Sequence, residues 1–164
     1  MKKTISVIVL FAVLVISVSA YSGRVYEAAE GYKAPLFKVE KSDTLVSLAD
    51  LRGRYVLVNF WASTDAQSRL RANDYDALGD YYPGERFCHL SVNFDRSERL
   101  FREIVRRDNL MAETQFHVQG DDAAEIIDAY RLDKGYRSFL IDPDGMIVAT
   151  NPDTRTLASI MARG

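Results

Sequence analysis

The sequence predicts an α/β domain: one mixed sheet with helices on both faces, entered through an extra N-terminal β-hairpin. Three observations predict it. Tyr55–Trp61 and Phe87–Phe94 are β-branched and aromatic and apolar on both faces, as central buried strands are. Stretches of helical periodicity alternate with them. Two further short strands are joined by Asp142-Pro143-Asp144-Gly145, a proline-led turn with glycine in fourth place, before a last helix. The resulting order is β-β-β-α-β-α-(β)-α-β-β-α, which needs a mixed sheet covered on both sides.

The elements follow in chain order. Leu36–Val39 and Thr44–Ser47 read as short strands, and Leu48–Leu51 as a turn of helix. Gly53 breaks the chain before the first central strand. Residues 64–81 read as a helix with Leu70, Tyr75, Leu78 and Tyr81 inward, stopped by Pro83-Gly84. Ser97 caps a helix with Leu100, Phe101, Ile104 and Val105 on one face and Arg99, Arg102, Arg106 and Arg107 opposite, a solvated basic face. Gln115–Val118 is a weak strand. Asp121 or Asp122 caps a short helix through Tyr130. Arg137–Ile141 and Met146–Thr150 form the hairpin, and Asp153 caps the final helix through about Ala162.

The N-terminus carries a targeting signal. Met1-Lys2-Lys3 is followed by an apolar run from Ile5 to Val18, ending in Val18-Ser19-Ala20. A short basic start, an apolar stretch and small residues at −3 and −1 make a secretory signal peptide, cut after Ala20. The run is shorter than the roughly 20 residues a spanning helix needs; the alternative is an uncleaved anchor. The expected organisation is a signal peptide over 1–20, a polar leader over 21–33 and one domain over 34–164, exported to the bacterial periplasm, with no membrane contact after cleavage. Cutting removes two of the 21 basic residues and leaves 19 against 23 acidic ones, a net charge near −4. That balance lacks the basic face of a nucleic-acid binder.

One cysteine, Cys88, cannot form a disulfide within the chain. It lies in a strand and reads as a small buried hydrophobe, with His89 on the opposite face. His89 and His117, the only histidines, have no metal-ligand spacing, so neither a metal nor a cofactor is expected. The Asp142–Gly145 turn lacks the later ligands of a calcium loop. Pairing Ser68 with a distant histidine as a hydrolase has no support in the flanking residues.

At this point the chain resembles the TlpA-like bacterial envelope thiol–disulfide oxidoreductases, cousins of the peroxiredoxins. The matching pieces are Ala34–Phe37, Leu48–Tyr55, Val56-Leu57-Val58-Asn59-Phe60-Trp61-Ala62-Ser63, Leu90–Asp95 and Ser138–Gly145. The resemblance implies a thioredoxin-like fold over nearly all of residues 31–164. It also implies Cys-x-x-Cys at the start of the helix after the first central strand, and a cis-proline before the last hairpin. This sequence departs there. Asp65 and Ser68 stand at the two cysteine positions, Gln67 replaces the proline between them, Asn73 replaces a later proline, and Tyr136 falls at the cis-proline.

Redox exchange needs a thiolate and a second thiol to resolve the mixed disulfide, which aspartate and serine cannot supply. No catalytic residue is therefore expected. Thr64 with Gln67 fits a capping box, Asp65 would sit in the first turn, and Asp65 could pair with Arg69. A cis bond before a non-proline costs about 3–4 kcal/mol. The Gly135–Tyr136 bond is thus expected trans, with Gly135 absorbing the changed path and the Tyr136 ring over the Asp65 loop. The resemblance implies a groove for extended polypeptide, rimmed here by Trp61, Thr64, Asp65 and Tyr136. The leading expectation is a non-catalytic module that binds an envelope protein or peptide. The competing one is a thiol oxidoreductase or antioxidant-type protein acting through Cys88 or an external thiol; a third is a structural subunit.

Overall fold

The structure is a computed structural model that describes residues 28–42, 44–78, 81–82 and 84–162. The proposed signal peptide and most of the leader lie outside the described residues. Two strands, β1 (Lys38–Lys41) and β2 (Thr44–Ser47), form an antiparallel hairpin with Val39 opposite Val46. A 3₁₀ turn at Leu48–Leu51 leads into β3 (Tyr55–Trp61). Then come α1 (Ala66–Asp76), β4 (Phe87–Asn93), α2 (Glu98–Arg107), β5 (Gln115–His117), α3 (Gly120–Ala129), β6 (Ser138–Ile141), β7 (Ile147–Thr150) and α4 (Thr154–Met161). The five strands from β3 on make one mixed sheet in the order β5-β4-β3-β6-β7. β3 runs parallel to β4 and antiparallel to β6, so it lies at the centre.

Strand alternation divides the core. Val56, Val58 and Phe60 of β3 face one side, where they meet Phe37, Val39, Ile126, Tyr130 and Phe139. Leu57 faces the other side, with Tyr75 of α1 and Leu157 and Met161 of α4. Trp61 joins a smaller cluster with Ala72, Phe101, Ile104 and Leu110. The β1–β2 hairpin and α3 thus cover one face, and α1, α2 and α4 the other.

Several boundaries differ from the sequence expectation. β1 starts at Lys38 rather than Leu36, because the pairing of Lys41 with Thr44 fixes the register and leaves Leu36 in solvent. α1 ends at Asp76; beyond it the chain turns, with the Leu78 N–H donating to Tyr75 O and the Tyr81 N–H to Leu78 O. Leu70 and Tyr81, expected inward, are exposed, while Ser68, Ala72, Tyr75 and Asp76 form the buried face. α3 begins at Gly120 after Gln119, which gives no side-chain cap; Asp121 and Asp122 sit in the first turn, where their charge favours the helix dipole. The end of the expected leader is stitched to β7: Gly31 N–H donates to Ile147 O (2.9 Å) and Ile147 N–H to Tyr32 O (2.8 Å). Ala28 is buried against the larger core.

The 142–145 turn forms as expected, with Gly145 N–H donating to Asp142 O at 2.9 Å. Gly145 has φ +84°, and a Cβ there would press on the Arg52 guanidinium at 3.2 Å, so glycine is required.

Candidate functional site

The loop after β3 is built by a carboxylate from the end of β4. Asp95 Oδ1 accepts from both the N–H and the hydroxyl of Ser63, each at 2.9 Å. Asn93 Nδ2 donates to Asp95 Oδ2 at 3.0 Å, and Asn93 Oδ1 accepts from the Asp95 N–H at 2.9 Å. Asp95 is buried, and this clamp sets where the chain enters α1. Sequence reasoning missed it; the only signal was the Asn93-Phe94-Asp95 triplet inside a matched piece.

Asp65 then caps α1. Its Oδ1 accepts from the Ser68 N–H at 2.7 Å, and the Ser68 hydroxyl donates back to Asp65 O at 3.1 Å. Ser68 is wholly buried. The cap expected at Thr64 with Gln67 does not form: a carboxylate one residue later offers a charge-assisted acceptor that a threonine hydroxyl does not match. Thr64 and Gln67 are exposed. The expected Asp65–Arg69 pair is absent too. Arg69 instead holds Asp108 at the end of α2 through two bonds, 2.5 and 2.6 Å long. These bonds hold the Asp108 carboxyl below the usual carboxylate range.

Across from this loop lies Tyr136. Every peptide bond among the described residues is trans, and Gly135 takes φ +125°, as expected. Arg71 Nη2 donates to Tyr136 O at 2.8 Å and ties the loop to α1. The ring stacks on Phe94, centroids 5.6 Å apart and planes at 15°, so the end of β4 gives it an aromatic partner. Burial pushes the Tyr136 phenol up, and the charges of Asp95 and Asp65 push it further. Beside the ring a cleft of about 290 Å³ is lined by Phe94, Arg96, Val118, Ala123, Ile127 and Tyr136, among others. Trp61 does not rim the surface: it is wholly buried beneath the loop, since its position on β3 points into the cluster with Phe101. Thr64, Asp65 and Tyr136 remain at the surface.

The remaining candidates lie elsewhere. Cys88 is half-buried on β4 against the larger core, and burial pushes its thiol up, away from the reactive thiolate. His89 points to the other face and is fully buried, with Asp76 Oδ1 3.7 Å from its Nδ1. His117 stacks on Phe101 and holds Nε2 2.8 Å from Asp95 O. No group of three or more His, Cys, Asp or Glu among the described residues could hold a metal.

Residues 31–150 match the AhpC/TSA family. This chain belongs to that family. It is 24% identical to the thiol-disulfide oxidoreductase ResA of Bacillus subtilis, over 98% of this chain and 92% of that protein. ResA of Bacillus cereus is 28% identical over 72% of this chain and 66% of its own length. Among solved structures, a thioredoxin-like protein from Parabacteroides distasonis is 32% identical, with a TM-score of 0.71 over 83% of this chain and 96% of its own. The thioredoxin domain of a Bacteroides vulgatus thiol-disulfide oxidoreductase is 26% identical, with a TM-score of 0.70 over 82% and 96%. The fold is thioredoxin-like, and the family is that of the thiol–disulfide oxidoreductases. Within it, this AhpC/TSA member carries Asp65 and Ser68 as one self-satisfied helix cap, and no helix among its described residues is long and apolar enough to cross a membrane.

Proposed function

We propose that this AhpC/TSA-family protein is exported and binds a protein or peptide partner through its thioredoxin-type groove without thiol chemistry. The observation that carries this reading is the Asp65–Ser68 unit. The carboxylate is committed to the Ser68 amide at 2.7 Å, and the serine hydroxyl is buried and turned back to Asp65 O. Neither atom is presented as a nucleophile, and neither residue can form a disulfide. The single thiol, Cys88, lies on a strand and is raised by burial, which weighs against its acting alone. Export is supported by the basic start, the Ile5–Val18 run and the Val18-Ser19-Ala20 cut site. What remains accessible is recognition surface: the Thr64–Asp65 loop, Tyr136 and the cleft beside it.

A thiol titration tests the chemistry half of this reading. Cys88 of the folded protein should react with an aromatic disulfide reagent far more slowly than in 6 M guanidinium, on the order of 100-fold or more for a protected thiol. Equal rates in the two states would restore Cys88 as a redox residue and refute the reading.

A further inference from the structure

The cleft beside Tyr136 has a chemistry of its own, and Arg96 on its rim leads directly into the basic face of α2. Its floor is apolar: Phe94, Val118, Ala123, Ile127 and the Tyr136 ring. At about 290 Å³ it falls at the small end of the ~300–1,000 Å³ usual for small-molecule sites, room for one large side chain rather than a cofactor. The Tyr136 ring stacked on Phe94 gives that side chain a flat aromatic wall.

The rim is cationic on one side. Arg96 lines the cleft, and Ser97 caps α2 immediately after it. Arg99, Arg102 and Arg106, spaced three and four residues apart, then line a second, shallow depression of about 430 Å³ together with Glu103. Arg102 is paired with Glu98 at 2.6 Å, but Arg96, Arg99 and Arg106 have no carboxylate partner among the described residues. On the other side of the cleft Asp95 accepts from Ser63 and Asn93 and Asp65 caps α1, while Asp121 and Asp122 stand exposed in the first turn of α3, so a ligand's carboxylates are favoured on the α2 side. Positive charge without a carboxylate partner therefore runs from the cleft rim along α2, at Arg96, Arg99 and Arg106. From Glu98 to Arg106 α2 rises about 12 Å at 1.5 Å per helical residue, the reach of about four residues of extended peptide.

We infer that this surface binds an extended acidic peptide segment, one aromatic side chain seated in the cleft against Tyr136 and the following carboxylates along Arg96, Arg99 and Arg106. The inference rests on the reading of this face as a partner site and adds the partner's chemistry. A flat anionic membrane would meet the guanidiniums but leave the cleft empty.

Fluorescence anisotropy on the purified protein tests it with four labelled probes. These are a peptide of one phenylalanine followed by four glutamates, the same peptide with serine for phenylalanine, the same with lysines for glutamates, and a ten-base oligothymidine. The first should bind at least 10-fold tighter than each of the others and weaken as salt rises. Ala123→Phe, which fills the cleft, and the exposed double change Arg99→Glu/Arg106→Glu should each cost at least 10-fold, with the far-ultraviolet circular dichroism unchanged. The second variant keeps the test valid should the first fail to fold. Equal binding of the lysine peptide, tighter binding of the oligonucleotide, or indifference to the charge reversal would overturn the inference. Tight binding of the lysine peptide would still leave a non-catalytic peptide site standing, whereas a reactive Cys88 would remove that underlying reading whatever the peptides do.

Discussion

The two ends of helix α1 carry two polar clusters of opposite character. At its start, Asp65 and Ser68 satisfy each other across three residues of sequence. At its end, Asp76 gathers donors from far along the chain: the Met111 N–H, the Thr114 hydroxyl at 2.8 Å and Gln115 Nε2 at 3.4 Å. It also faces His89, neither of whose ring nitrogens has a hydrogen-bond partner. An orphaned buried polar group often marks a functional site. Such atoms occur at both ends of the helix: the His89 ring nitrogens here, and Asn59 Oδ1 and Trp61 Nε1 beside the α1 start. The Asp65–Ser68 pair is satisfied locally, whereas the Asp76 end is held by partners far along the chain. We read the first as a helix start and the second as the weld between α1, β4 and β5.

That contrast has measurable size. Asp76→Ala removes the acceptor shared by the Met111 N–H, the Thr114 hydroxyl and Gln115 Nε2, leaves an emptied buried site and should cost about 3 kcal/mol in urea unfolding. Asp65→Ala removes one helix cap and should cost about 1 kcal/mol. Equal costs, or a larger one at Asp65, would break the comparison.

Acid sharpens it. Burial lowers the His89 imidazole from its ordinary 6.5 to about 4. Asp76 lies 3.7 Å away, beyond hydrogen-bond reach, and its oxygens already serve other donors, so burial dominates. Between about pH 6.5 and 4 the unfolded chain binds the proton and the folded one does not. Stability should therefore fall through that window as the pH drops, by about 3 kcal/mol from this one group, and not further below it. His89→Leu should flatten the slope in that range. An unchanged slope would mean that His89 titrates normally in the folded protein.

How much of this was legible in the sequence depends on how local each interaction is. β3, the 142–145 turn and the Ser97 and Asp153 caps read directly, since each is set by neighbours in sequence. The cap at α1 was legible in kind but misplaced by one residue, because Thr64 and Asp65 are both good caps and only the fold chooses. The inward face of α1 was misread. Asp76 and Ser68 are polar yet buried: Ser68 is satisfied locally by Asp65, and the donors that make a buried Asp76 tolerable lie on other strands and loops. The position of Trp61 in the family motif points to a rim residue, but strand alternation sends it into the core. The Asp95 clamp needed the fold to bring Ser63 within reach.

A small effect is also expected at Tyr136. Tyr136→Ala removes the stack on Phe94 and should cost only about 1 kcal/mol of stability. It should abolish the preference for an aromatic side chain in the peptide probe. A loss of several kcal/mol would make Tyr136 a core residue rather than a groove wall.

The central claim, that the α1 start has become structure instead of a redox site, meets its most direct test in insulin reduction by dithiothreitol. The purified protein should leave the rate at the background set by dithiothreitol alone, because Asp65 and Ser68 cannot cycle through a disulfide and Cys88 has no second thiol. Turnover above that background, lost on Cys88→Ser, would contradict the account.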